Sequence, residues 1–79
     1  MNITVHYFAI LRDRTRVDAE TVATESVDPL GPWHELERRH GFGLDPVHFS
    51  VAVNDEFSEW NHLLADGDTV VFLPPVSGG

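Results

Sequence analysis

With 79 residues and no cysteine, the chain has material for one small domain and none for disulfides, thiolate catalysis or Cys-type metal sites. Hydrophobic residues make up 42% of it, five Phe, two Trp and one Tyr among them, which supplies one compact core and argues against disorder. Thirteen acids against five Arg and no Lys give a formal charge of −8, which disfavours nucleic acid, favours basic partner surfaces and leaves no ε-amine for Schiff-base or isopeptide chemistry.

From the N-terminus, residues 1–8 alternate with period two. Ile3, Val5 and Tyr7 fall on one face, and Thr4, His6 and Phe8 on the other. This predicts a half-buried strand that leaves Phe8 on the wetter face, either a singly exposed aromatic or a partner contact. Residues 9–15 suit about one helical turn, and Arg12, Arg14 and Arg16 make a basic island in an acidic chain. Residues 17–24, rich in Val and Thr, predict a second strand paired antiparallel with the first.

Ser26-Val27-Asp28-Pro29-Leu30-Gly31-Pro32 is an entry to a helix in which Asp28 or Gly31 caps and Pro29 or Pro32 opens the first turn. Trp33, Leu36 and His40 share one face of that helix, Arg38 and Arg39 suit its C-terminal end, and Gly41 stops it. A loop over residues 42–48 leads to a third strand over 49–53, a turn at Asn54-Asp55 and a short return strand over 56–58. Asp66-Gly67-Asp68 turns the chain into the last strand. The order β, β, α, β, β, β predicts an α+β fold, a mixed sheet of about five strands with one main helix on one face.

In the last strand Val70 and Phe72 lie on one face, Val71 and Leu73 on the other. A domain this small has little to cover the second row, so Leu73, with Phe8 and Phe57, is expected to form a docking patch; for Phe57 parity leaves ordinary core open. Pro74-Pro75 ends the strand and stiffens the segment beyond it. Val76-Ser77-Gly78-Gly79 then closes the sequence, so a domain over 1–73 and an extended flexible tail over 74–79 are expected, the tail presenting the Gly79 carboxylate.

Three segments bring in a known family: Tyr7-Phe8-Ala9-Ile10-Leu11-Arg12, Val51-Ala52-Val53-Asn54, and the run from Leu64 through Asp66-Gly67-Asp68 to Pro74-Pro75-Val76-Ser77-Gly78-Gly79. Through them the whole chain resembles the small subunits of molybdopterin synthase, ubiquitin-like β-grasp sulfur carriers of the MoaD/ThiS type. It departs from them at Pro29-Leu30-Gly31-Pro32, where the family has plain helical sequence. The resemblance implies that an activating partner of the ubiquitin-activating type adenylates Gly79 with ATP and Mg²⁺. Sulfur transfer then makes a thiocarboxylate. With Gly78 and Gly79 in its channel, the synthase large subunit delivers that sulfur to cyclic pyranopterin monophosphate, in a heterotetramer of two small and two large subunits. It also implies that Phe8, Phe57, Leu73 and the segment Pro74, Pro75, Val76, Ser77 contact partners, and that this chain binds no cofactor and is not catalytic alone.

Two other readings stand beside this one. The first is a related carrier or modifier, serving tRNA thiolation, thiamine or cysteine synthesis, or conjugation to lysines. The second is a non-chemical interaction module. The five histidines, His6, His34, His40, His48 and His62, include no i, i+4 pair of the helical zinc type, and no glycine-rich phosphate loop occurs. No apolar run long enough to span a bilayer and no basic-then-apolar leader occur, so a cytoplasmic location without membrane contact is expected.

Overall fold

The alternation that begins at Ile3 decides which side of the sheet becomes core. A computed structural model describes residues 1–75, and in it Ile3, Val5 and Tyr7 are buried while Thr4 and His6 are half-buried. β1 (Asn2–His6) is followed by α1 (Ala9–Thr15), β2 (Ala19–Ala23) and α2 (Leu30–His40). A 3₁₀ turn at Pro46–His48 then precedes β3 (Ser50–Val53), β4 (Glu56–Ser58) and β5 (Thr69–Leu73). These strands form one mixed sheet in the order β2-β1-β5-β3-β4. β1 pairs antiparallel with β2, as expected, and parallel with β5. β3 pairs antiparallel with both β5 and β4. The first and last strands therefore lie side by side in the middle of the sheet, and the chain leaves Leu73 from its centre.

Both helices differ in detail from expectation. α1 runs for seven residues rather than one turn, because Leu11 and Thr15, four apart, are both buried on its inner side. Arg16 in the left-handed region ends it, its N–H donating to the Arg12 carbonyl. α2 begins at Leu30, with Pro29 as the cap residue and not the first helical one. Asp28 Oδ1 accepts from the Leu30 N–H at 3.1 Å, so Asp28 rather than Gly31 supplies the capping oxygen. Pro32 sits in the first turn, where its missing N–H had no intrahelical acceptor to lose. Gly31 is needed for space: a Cβ there would overlap the Ser26 side chain. The helix stops at Gly41, φ 66°, as expected.

The core lies between α2 and the inner face of the sheet and is aromatic. Trp33, fully buried, has ring neighbours Phe49 at 4.9 Å, Phe72 at 5.1 Å, Phe42 at 5.2 Å and Trp60 at 5.8 Å. Phe42, Trp60 and the buried Leu64 come from irregular segments, where no periodicity marks them as core. The residues opening the final strand are tied down by side chains. Asn54 Nδ2 donates to Asp68 Oδ1 at 2.9 Å, the Thr69 N–H to Asn54 Oδ1 at 2.9 Å, and the Ala65 N–H to Asp68 Oδ2 at 2.8 Å. The Asn2 N–H donates to Asp66 Oδ1 at 2.7 Å. Asp66 and Asp68 thus act as turn formers. Asn54 and Asp55, with φ of 52° and 71°, make the tight turn between β3 and β4.

One polar cluster joins α2 to the sheet. Glu20 Oε2 accepts from the Tyr7 hydroxyl at 2.9 Å and lies 2.8 Å from His40 Nε2, and Oε1 accepts from Arg39 at 2.7 Å. Burial pushes the Glu20 carboxyl up, but the hydrogen bonds from Tyr7, His40 and Arg39 and the charge of His40 outweigh it and hold the group below the ordinary range. A carboxyl lowered in the fold stabilises the protein above its unfolded value, about 4.3, and loses that contribution as pH falls through the folded value. Glu20→Gln is therefore expected to destabilise the domain by ~1–2 kcal/mol at pH 7 and to make denaturant midpoints less sensitive to pH below about 4. Urea titrations at pH 7 and pH 3 measure both effects.

Candidate functional site

The outer face of the sheet follows from the register. Ala19 pairs with His6, His6 with Val71, Val71 with Ala52 and Ala52 with Phe57, so one row crosses all five strands. The next row towards the N-terminal end of β1 and β5 is Thr21, Thr4 and Thr69. In the other direction lie Phe8, two residues beyond His6, and Leu73, two beyond Val71 and paired with Ser50. The outer face is thus polar at the threonine end and apolar where the chain emerges from β5.

Phe8 is 50% exposed and extended, and it is held in place because Ala9, in the left-handed region, starts α1 directly after it. Phe57 is 78% exposed in the middle of β4, which decides its open alternative against core. Leu73, the last residue of β5, is half-buried, as is Pro74, and Pro75 is exposed. Phe8, Leu73 and Phe57 therefore share one face, Phe57 two strands away from Leu73. Val76, Ser77, Gly78 and Gly79, including the expected reactive terminus, lie outside the described residues. Sequence reasoning did not single out His6 and Ala52 as members of this surface, although the alternation in β1 already placed His6 beside Phe8.

Little on this face is chemically reactive. Among the described residues no group of three His, Cys, Asp or Glu side chains is gathered as for a metal ion. No helix among them is long and apolar enough to cross a membrane. The basic island is partly committed within the chain: Arg12 pairs with Asp18 at 3.5 Å and Arg14 donates to the Phe42 carbonyl at 3.0 Å. The arrangement is suited to contact, with an apolar strip running to the base of Pro74-Pro75.

Residues 5–79 match the ThiS family model. The chain belongs to the ThiS family. It is 35% identical, over 98% of its own length and 99% of the relative's, to the molybdopterin synthase sulfur carrier subunit of Escherichia coli (strain K12). The solved putative molybdopterin converting factor subunit 1 of Pyrococcus furiosus superposes with a TM-score of 0.79 at 30% identity, over 95% of this chain and 98% of that one. A chain in the complex of subunits 1 and 2 of molybdopterin-converting factor from Helicobacter pylori superposes with a TM-score of 0.69 at 25% identity, both chains covered in full. The fold of this ThiS-family chain is the expected ubiquitin-like β-grasp, with α1 as a second, shorter helix.

Replacing Leu73 or Phe8 with Asp tests the contact reading of the outer face. Neither side chain is in the buried core, so the fold is expected to survive in the circular dichroism spectrum while binding of a partner to this face weakens by at least about a hundredfold. Unfolding of the isolated variant would instead place the residue with the core.

Proposed function

We propose that the chain is the sulfur-carrier subunit of a molybdopterin synthase. The observation that carries this reading is the end-to-end similarity to a curated carrier subunit at 35% identity. The apolar strip beside Pro74-Pro75 supports it, since a partner that grips this strip holds the segment beyond at a fixed origin. In this reading the chemistry belongs to Gly79. A free carboxylate is a poor acyl electrophile, so an adenylyltransferase of the ubiquitin-activating type, using ATP and Mg²⁺, joins one carboxylate oxygen to AMP and releases pyrophosphate. Hydrosulfide, the sulfide-level nucleophile, then attacks the acyl carbon; the bond to AMP breaks, AMP leaves, and the proton passes to solvent, so a thiocarboxylate remains.

Docking of the outer face on the large subunit delivers that sulfur to cyclic pyranopterin monophosphate, and two such deliveries build the dithiolene of molybdopterin. Gly78 and Gly79 have no side chain to obstruct a narrow channel and accept backbone angles closed to other residues. The carrier supplies no base and no cofactor; its part is to dock, to reach and to carry. The complex is expected to hold two copies of each subunit and to work in the cytoplasm.

The test is reconstitution from purified parts. After incubation with the activating enzyme, ATP, Mg²⁺ and a sulfur donor, the intact mass should rise by the exchange of one oxygen for sulfur. Addition of the large subunit and precursor should then yield molybdopterin and return the carrier to its starting mass. A thiocarboxylate that forms but is consumed only by tRNA thiolation, thiamine or cysteine synthesis would assign the chain to a related carrier instead.

A further inference from the structure

His6 is the one ionisable side chain in the central row of the outer face, between Ala19 and Val71 and two residues from Phe8. Its ring is half-buried already and makes no hydrogen bond to another described residue. A surface that closes over Phe8, Leu73 and Phe57 also removes His6 from water, and a buried imidazole without a partner is costly. In either protonation state it carries at least one N–H donor. We infer that His6 is a specificity-determining residue of this face, and that the partner covering it is an apolar protein surface with a basic rim and one hydrogen-bond acceptor opposite the imidazole.

The basic rim follows from charge: the chain carries −8 overall, and the exposed turn residue Asp55 lies two residues before Phe57 at the β4 end of the row, while Glu56, paired with the buried Val53, belongs to the other face. The apolar centre follows from the half-buried Val71 and Leu73 and the exposed Phe57, and the acceptor from the rule that buried polar groups in native contacts are bonded. The inference rests on the carrier reading, in which that partner is the synthase large subunit. It adds a requirement that an apolar patch alone does not impose: a partner lacking the acceptor is rejected, because the imidazole is left unpaired.

Binding of the purified large subunit to the full chain by calorimetry tests this, with His6→Leu, His6→Ala, His6→Gln and Leu73→Asp compared. His6→Leu adds apolar surface and removes the donor. It is expected to weaken binding by about tenfold or more, since the partner's acceptor is left bare. His6→Ala should weaken it similarly, and His6→Gln, which keeps an N–H donor, should stay within about threefold of the parent chain. Unchanged or tighter binding by His6→Leu overturns the inference, and so does equal loss in His6→Leu and His6→Gln. If Leu73→Asp abolishes binding while His6→Leu leaves it intact, only the role of His6 falls. If the unaltered chain does not bind the large subunit, the carrier reading falls and the inference with it.

Discussion

Replacing Trp33 with Ala is expected to lower the melting temperature by on the order of 20 °C. Trp33 is fully buried and its ring meets those of Phe42, Phe49, Trp60 and Phe72, so truncation opens one large cavity in the middle of the aromatic core. Aromatic-to-Ala changes in cores cost about 3–5 kcal/mol. A domain of 79 residues has a total stability of roughly 4–12 kcal/mol, so the variant stands near its unfolding threshold. Trp33→Phe should cost much less, because most of the ring contact survives and the change also removes an Nε1–H that is buried without a described partner. Thermal melts of the three chains by circular dichroism measure this. A shift below about 5 °C for Trp33→Ala would mean that the four neighbouring rings close the cavity and that the core does not depend on this residue.

The same residue shows how much of the core is legible in the sequence. Trp33 and Leu36 are placed there by helical spacing, and Val70 and Phe72 by alternation, because both elements have one buried face and a regular period. Phe42, Trp60 and Leu64 carry much of the same core from irregular segments, where no period exists to reveal them. The parallel pairing of β1 with β5 is equally hidden, since nothing local in either strand encodes a partner some sixty-five positions away, as Thr4 and Thr69 are. The Glu20 cluster depends on that tertiary arrangement too. It brings Tyr7, just beyond β1, and Arg39 and His40 of α2 to one carboxylate on β2, and alternation alone does not tell a half-buried Glu from a solvated one.

The outer face is legible in part for the same reasons. Parity puts Phe8 and Leu73 outward, and the cross-strand register shows why they belong to one surface with Phe57. Parity cannot choose for Phe57, because β4 has only three residues and too few alternations to set a phase. The register adds a polarity along the strands, threonines at one end and apolar residues at the other. The apolar end is the one from which residues 74 and 75 depart.

Removing Gly79 is expected to abolish molybdopterin formation while leaving the complex with the large subunit intact. If Phe8, Leu73 and Phe57 supply the docking affinity, loss of one terminal residue changes few of the contacts that decide it. Fixing the backbone of one terminal residue on a partner costs about 1–2 kcal/mol, which offsets much of what its own contacts contribute. Chemistry has no such tolerance. From Leu73 the six residues to Gly79 reach at most roughly 20 Å, and each residue removed retracts the carboxylate by about 3.5 Å. A reacting atom displaced by that distance lies outside the near-contact range that transfer requires, and misplacement by ~1 Å already costs about a hundredfold. The shortened chain should therefore bind the large subunit within about tenfold of the parent, and product should fall to background in a single-turnover assay. Retained product formation would remove Gly79 from the chemistry and overturn the assignment of the reacting carboxylate to that residue. Loss of the complex together with the product would assign the tail, rather than the outer face of the sheet, the main share of binding.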